Sequence, residues 1–404
     1  MVLYHDYEGE FQEATRDDVV QLGRVYKSRP SPYEVYMEEE NIPIYREIGV
    51  YDARQLPLAP WKRMGGQGTF LQLDGSGGKY AVEVPAGGAL NPERHMYEEL
   101  FLVIEGRGST EVWREGSSKR LTFEWQPYSA FAIPLNVWHR LVNATSSPAL
   151  VLASTNAPAV ISLFPTRSYI FENAHEFPER YDESEDYFKP QLDKFVGTEV
   201  GKAVVRTNLI PDVSRCYLPL VNLRGAGHRR LGPQMAGRRG GGFIAEYPIG
   251  RYSMAHYHAS GPTLVCLRGK GYTYTWPFEL GKRPWEAGKG HLVKRQDYIP
   301  GGMVSAAPGG GNWYHQHFGC GSDVFRVMNI GGGGGGDREH IAGLTRKAGD
   351  EVTYGENVVP YPREDPHIRK EYQETLARDG VEFTMPESVY REETSPAGLN
   401  VAGL

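Results

Sequence analysis

Glu93–Trp113 reads ERHMYEELFLVIEGRGSTEVW, and His256–Trp276 reads HYHASGPTLVCLRGKGYTYTW. The two stretches align without a gap at an offset of 163 positions. His95 falls on His258, Gly106 on Gly269, Gly108 on Gly271, Thr110 on Thr273 and Trp113 on Trp276. A glycine-x-glycine step between two apolar runs is a tight turn joining two strands, because glycine tolerates positive φ. The chain therefore carries one β-structured unit twice, and the histidines keep the same register in both copies.

Strand-like runs extend outward from the first copy: Thr69–Leu73, Lys79–Val84, Leu100–Ile104, Ser109–Trp113, Ala130–Ile133, Val137–Val142 and Ala149–Thr155. Gly, Pro, Asn or Asp punctuates them, which is the pattern of an all-β domain. A second series runs from Val204 to about Ile330. The 404 residues exceed what one core usually serves. The 49 glycines and 28 prolines suit short strands and tight turns. The expected organisation is an N-terminal extension over 1–60, a barrel over 61–164, an acidic and aromatic connector over 165–200, a second barrel over 201–335 and a tail over 336–404. A helix is expected within the tail, over Arg363–Ala377.

The net charge of −6 comes without a long basic run, so a nucleic-acid partner is not expected. No apolar run is long enough to span a membrane, and the start lacks the basic and apolar regions of a signal peptide. Cys216, Cys266 and Cys320 are odd in number and far apart, which points to a reducing, cytoplasmic setting. No nucleophile elbow or dinucleotide fingerprint is present. The run Gly331–Gly336 lacks the lysine of a phosphate loop and reads as a flexible connection.

Chemistry concentrates on histidine. Residues two apart on a strand share a face, so His256 and His258 are expected to point into one barrel. A third imidazole comes from Trp313–Phe318 (WYHQHF), where His315 is favoured as the ligand over His317. Three neutral imidazoles with open positions opposite suit iron, manganese, nickel, copper or zinc. In the first copy Glu93, His95, Glu99 and His139 occupy the equivalent places, a harder and more anionic set. The second barrel is expected to carry the chemistry and the first to be the weaker or more structural site. His317, Tyr252, Tyr257, Arg268, Trp276 and Trp313 are candidates to line the second site or contact substrate, and His291 and Asp297 to orient its ligands.

These segments resemble the paired motifs of the cupin family. His95, Glu99 and Gly106 match the first motif and Pro134, His139 and Asn143 the second, with Glu93 in place of the first histidine. In the second half Gly250, His256, His258, Gly269 and His315 match, while the motif glutamate is absent. The resemblance implies an all-β fold of two tandem cupin barrels, double-stranded β-helices of the jelly-roll kind, with an N-terminal extension and a short helical tail. The three-histidine pattern is distantly similar to the bicupin ring-cleaving dioxygenases of the gentisate 1,2-dioxygenase type. It implies a divalent metal, Fe(II) favoured over Mn, Ni or Zn, and a non-haem iron dioxygenase acting on a small aromatic or diketone-like molecule. The alternatives are a metal-dependent lyase, decarboxylase or isomerase, and a non-catalytic binding protein. A homodimer is also expected.

Overall fold

The computed structural model describes residues 30–73, 77–197, 203–222, 224–238, 242–258, 262–308, 313–331 and 358–391, with only the backbone of Val196, Gly197 and His258. The runs read as strands are strands: Gly66–Leu71, Gly78–Val84, Glu99–Glu105, Gly108–Trp113, Ala130–Ile133, Trp138–Asn143 and Ala149–Thr155 in the first half. They form an 8-stranded and a 4-stranded sheet. Val82, Phe101 and Phe131 of the larger sheet share one core with Val112 and Leu141 of the smaller, so the two sheets face each other. The second half repeats this with an 8-stranded and a 5-stranded sheet.

The repeat holds at the level of hydrogen-bond register. Glu93 bridges His139 in the first barrel, and His256 pairs with His315 in the second. His139 stands opposite Val112, and His315 stands opposite Thr275, the residue at the same offset. His315 is therefore the counterpart of His139, while His317 occupies the place of Leu141. Gly106 and Gly269 both turn with positive φ, at 86° and 73°.

The halves exchange short strands. Gly49–Val50, within the expected N-terminal extension, pairs with Met303–Val304 at the edge of the second barrel. Leu209–Ile210, within the expected second domain, pairs with Ala130–Phe131 at the edge of the first. Between the two large sheets lies a shared core that includes Leu102, Ala130, Ile210, Val265, Met303 and Met328. The connector is not detached either: Ile170, Tyr181 and Phe188 pack into the first barrel's core.

The N-terminal helix Pro32–Glu39 begins with proline after Ser31, whose hydroxyl accepts from the Glu34 amide while Glu34 accepts from the Ser31 amide. Its Tyr33, Tyr36 and Met37 join the first core. The expected helix in the tail spans Pro366–Arg378. It is a cover for the second barrel: Ile368, Tyr372 and Leu376 pack with Tyr272, Tyr274, Trp276 and Phe318. On the strand Gly271–Pro277 the aromatic residues thus face outward under the tail. Thr273 and Thr275 face the interior, where they meet Tyr298 Oη at 2.8 Å and the Ala306 carbonyl at 2.6 Å. On this strand the apolar face is outside, beneath the tail, and the polar face inside, opposite to a solvated β-sheet. Of the loop expected at Gly331–Gly336, residues 332–336 lie outside the described residues. Cys216, Cys266 and Cys320 are free thiols, and no described helix is long and apolar enough to cross a membrane.

Candidate metal centre

Facing sheets bring Glu93, His95, Glu99 and His139 together, with one ligand atom from each lying within 4.8 Å of all the others. Among the described residues no other group of three or more such side chains gathers this closely. Nδ1 of His95 lies 2.9 Å from the Tyr97 carbonyl and Nδ1 of His139 3.2 Å from the Val137 carbonyl. A carbonyl only accepts, so each Nδ1 carries a proton, and each Nε2 is the atom turned toward the carboxylates, where it donates as the imidazolium or, deprotonated, offers its lone pair to a cation. Nε2 of His95 is 3.1 Å from Glu99 Oε2, and Nε2 of His139 is 3.4 Å from the same oxygen and 3.7 Å from Glu93 Oε1. Tyr80 donates to the other Glu99 oxygen at 2.5 Å.

Burial by itself raises the Glu99 carboxyl, but His95 and His139 beside it outweigh that and hold it well below the usual carboxylate range. Burial pulls the His139 ring the other way, and the carboxylates of Glu99 and Glu93 still raise it. His139 Nε2 is buried without hydrogen-bond geometry to any partner. Converging lone pairs, two carboxylates and a buried nitrogen left unsatisfied fit a divalent cation. Glu93 differs from the other three. Its Oε2 is held by Arg63, which also reaches Glu40 at 3.1 Å.

In the second barrel the rings of His256 and His315 approach to 4.2 Å between centroids, with His317 at 6.4 and 5.6 Å from them. The Nδ1 atoms of His256 and His315 sit 3.1 and 3.0 Å from the carbonyls two residues earlier, the arrangement seen at His139. The side chain of His258 lies outside the described residues. Among the described residues the compact cluster is in the first barrel, the one expected to be weaker.

Five of the six residues expected around the second site lie elsewhere. Tyr252 donates to Glu364 beneath the tail. Tyr257 packs on Phe278 and Tyr314, and Trp276 stacks on Tyr314 while donating to the Gly281 carbonyl. Tyr257 and Trp276 occupy the outward positions of strands whose inward positions hold His256 and Thr275. Arg268 is on the rim, paired with Asp323 at 2.7 Å, and Trp313 lies under Lys294 at 5.5 Å. His291 is exposed and Asp297 pairs with Arg295, so neither orients a ligand.

His317 does face the interior. It lines a cavity of about 90 Å³ together with Arg224, His228, Arg230, His256 and His315. Sequence reading passed over Arg224, His228 and Arg230, although Arg224–Arg230 (RGAGHRR) is the densest basic run of the second half. It also passed over Tyr80 and Arg63, which carry no motif and are recognisable only by their contacts.

A family model described as "Cupin domain" matches residues 80–155. The second half repeats that unit strand for strand, with the same pairing of turn and histidine strands. The chain is a bicupin. No curated protein matches this bicupin's sequence. Solved structures similar to it include oxalate decarboxylase of Lactobacillus farciminis in a formate complex, at 8% identity over 70% of this chain and 86% of that one, TM-score 0.41. Another is the Bacillus subtilis oxalate decarboxylase studied for its Mn(II) centres, at 10% identity over 83% and 89%, TM-score 0.43. The vicilin of hazelnut, Corylus avellana, is similar at 12% identity over 69% and 84%, TM-score 0.41. Likenesses at this level transfer neither residues nor activity.

Proposed function

We propose that this bicupin is a metal-dependent enzyme, a non-haem iron dioxygenase of a small aromatic or diketone-like molecule, with its metal in the first barrel. The observation that carries the reading is the convergence of Glu93, His95, Glu99 and His139 within 4.8 Å. Because Arg63 draws one Glu93 oxygen aside, His95, Glu99 and His139 make up the core of the set. Two histidines and one carboxylate with open positions are the ligand type of non-haem Fe(II) oxygenases, and manganese, zinc and nickel accept the same donors. When bound, the metal supplies Lewis-acid polarisation and one-electron chemistry. The chain's own part is orientation: Tyr80 fixes Glu99, backbone carbonyls fix the imidazoles, and burial keeps bulk water away. A second ion held by His256, His258 and His315 is a separate proposal, with His315 chosen over His317 because it stands in the register of His139.

The test is metal analysis of the purified chain together with oxygen uptake on a panel of small phenols and diketones. About one metal per chain, lost in Glu99→Ala, with substrate-dependent oxygen uptake supports the reading. Turnover without oxygen uptake assigns the lyase or isomerase alternative instead. Bound metal with no turnover across the panel makes the chain a binding protein.

A further inference from the structure

One turn of the second half reaches the metal cluster of the first. The strands Arg229–Gln234 and Phe243–Tyr247 are antiparallel neighbours, and the turn that leaves the first of them carries Met235, Ala236, Gly237 and Arg238. Ala236 and Gly237 turn with positive φ, at 50° and 64°. The Arg238 amide donates to the Met235 carbonyl at 2.9 Å. Met235 and Ala236 are buried in the core shared by the two large sheets, which also holds Leu100 and Ala132. The Ala236 amide donates to Asn208 Oδ1 at 2.6 Å, and the Asn208 carbonyl accepts from the Ala132 amide at 3.2 Å. Ala132 precedes Ile133, which pairs with Glu99. A second tie runs through Arg180, which donates to the Gly237 carbonyl and lies 3.6 Å from Glu98. The turn is thus pinned at the end of the first barrel where the Glu99 strand begins.

Arg238 is the residue this turn delivers. It makes no ion pair and no side-chain hydrogen bond with any described residue, and its Nε is buried without a partner. Burial lowers the guanidinium to about 10, and the nearby carboxylates of Glu98 and Glu99 oppose that, so it is charged at neutral pH. The other carboxylates around the cluster are answered, Glu93 by Arg63 and Glu98 by Arg180. With a divalent ion in the cluster, the charge of Glu99 stands against that of the ion and of Arg238. The excess is positive, and an anion offsets it through charge-assisted bonds in a low dielectric. A separate observation agrees. A cleft of about 500 Å³ opens beside the same turn, lined by Arg180, Lys189, Arg206, Ala236 and Gly237, with no Asp or Glu among its described lining residues. Lys189 pairs with Asp186 at 3.6 Å, and Arg206 donates to the Gln234 side chain at 3.3 Å. A cleft lined by one sign of charge raises the local concentration of the opposite ion.

We infer that Arg238, carried across from the second half, holds the carboxylate of an anionic substrate at the first barrel's metal centre. The inference rests on the metal reading of that barrel and narrows its substrate to a small organic acid. A planar guanidinium presents paired donors to a carboxylate. A neutral molecule of the same shape leaves the charge of Arg238 without an offset. The site is therefore built from both halves, and the core they share fixes Arg238 relative to Glu99.

The test is calorimetric titration of the metal-loaded full chain at neutral pH with acetate and with acetamide, its neutral isostere. Acetate should bind at least about tenfold tighter than acetamide. Arg238→Gln should weaken acetate by about tenfold or more while metal content stays at the wild-type level, and Arg238→Lys should weaken it less. Equal binding of acetate and acetamide overturns the inference, and this comparison needs no variant to fold. Acetate binding that Arg238→Gln leaves unchanged also overturns it, because the metal alone then holds the acetate. Loss of the metal together with the acetate in Arg238→Gln overturns it as well, since the residue then supports the cluster and not a substrate. The first-barrel reading fails separately, on metal analysis: a chain that takes up no metal yet loses acetate in Arg238→Gln keeps Arg238 as a carboxylate site without a metal.

Discussion

Tyr80 and Glu99 form the contact on which the first site's order depends. Without the phenol, Glu99 keeps its histidine neighbours but loses the bond that fixes its second oxygen. Tyr80→Phe should therefore weaken metal binding by about 10–100-fold, the usual effect of losing a partner that orients a ligand. Glu99→Gln should cost more, since it removes a donor. Competition with a metallochromic chelator measures both, and equal losses would mean that Glu99 is not a ligand. A second titratable residue is buried beneath the tail of the second barrel. Burial raises the Glu364 carboxyl to about 8 from its ordinary 4.5, although the Tyr252 hydroxyl and Gln316 partly oppose this. The folded chain then holds a proton that the unfolded chain releases above pH 4.5. Stability contributed by this group is complete below that pH and is lost as pH rises through about 8, at up to about 1.4 kcal/mol per pH unit. Glu364→Gln should flatten the pH dependence of the urea midpoint in this window. Parallel curves for the two proteins would show that Glu364 is not buried in its neutral form.

Gly106 and Gly269 decide whether each repeat's hairpin closes. Gly106 turns at φ 86°, and a Cβ there would sit 2.5 Å from the Ala149 Cβ and 2.6 Å from its Cα. Gly106→Ala therefore combines a left-handed penalty of about 1–2 kcal/mol with overpacking of about 1–3 kcal/mol. Gly288 turns at φ 71° with nothing within 4 Å of the same added atom, so Gly288→Ala should carry the backbone term alone. Denaturation midpoints of the two variants separate the terms, and equal losses would mean that the Ala149 contact yields freely. The G-x-G spacing made these turns readable in the sequence. The outward aromatic face of the second barrel was not readable, because Tyr272, Tyr274 and Trp276 alternate with threonines as a buried inward face would. Only the tail helix, some 90 residues away in sequence, shows which face is covered.

The two barrels share a core and trade strands, so they should melt together. Ile210 belongs to the second half in sequence but pairs with Ala130 of the first barrel and packs against Met303 and Val265. Ile210→Ala should cost about 2–5 kcal/mol and shift a single calorimetric transition. Two resolved transitions, with only one moved, would mean that the halves are energetically separate. We also propose that the chain is a homodimer, which light scattering at micromolar concentration checks as twice the chain mass.

The sequence by itself determined the fold and the register. Strand periodicity, glycine turns and a gapless offset are local properties, and each survives in the structure. It also named the residues of the first-barrel cluster, because Glu93, His95 and Glu99 lie within seven positions and His139 falls in a recognisable strand. Tertiary structure decided the weight between the sites. Whether a carboxylate is solvated or faces a histidine 3.1 Å away depends on which sheet covers it. Whether a histidine meets a carboxylate or a guanidinium depends on contacts between strands far apart in the chain. Arg224 and Arg230 precede the His256 strand by some 30 positions, and only barrel closure brings their charges to the same cavity.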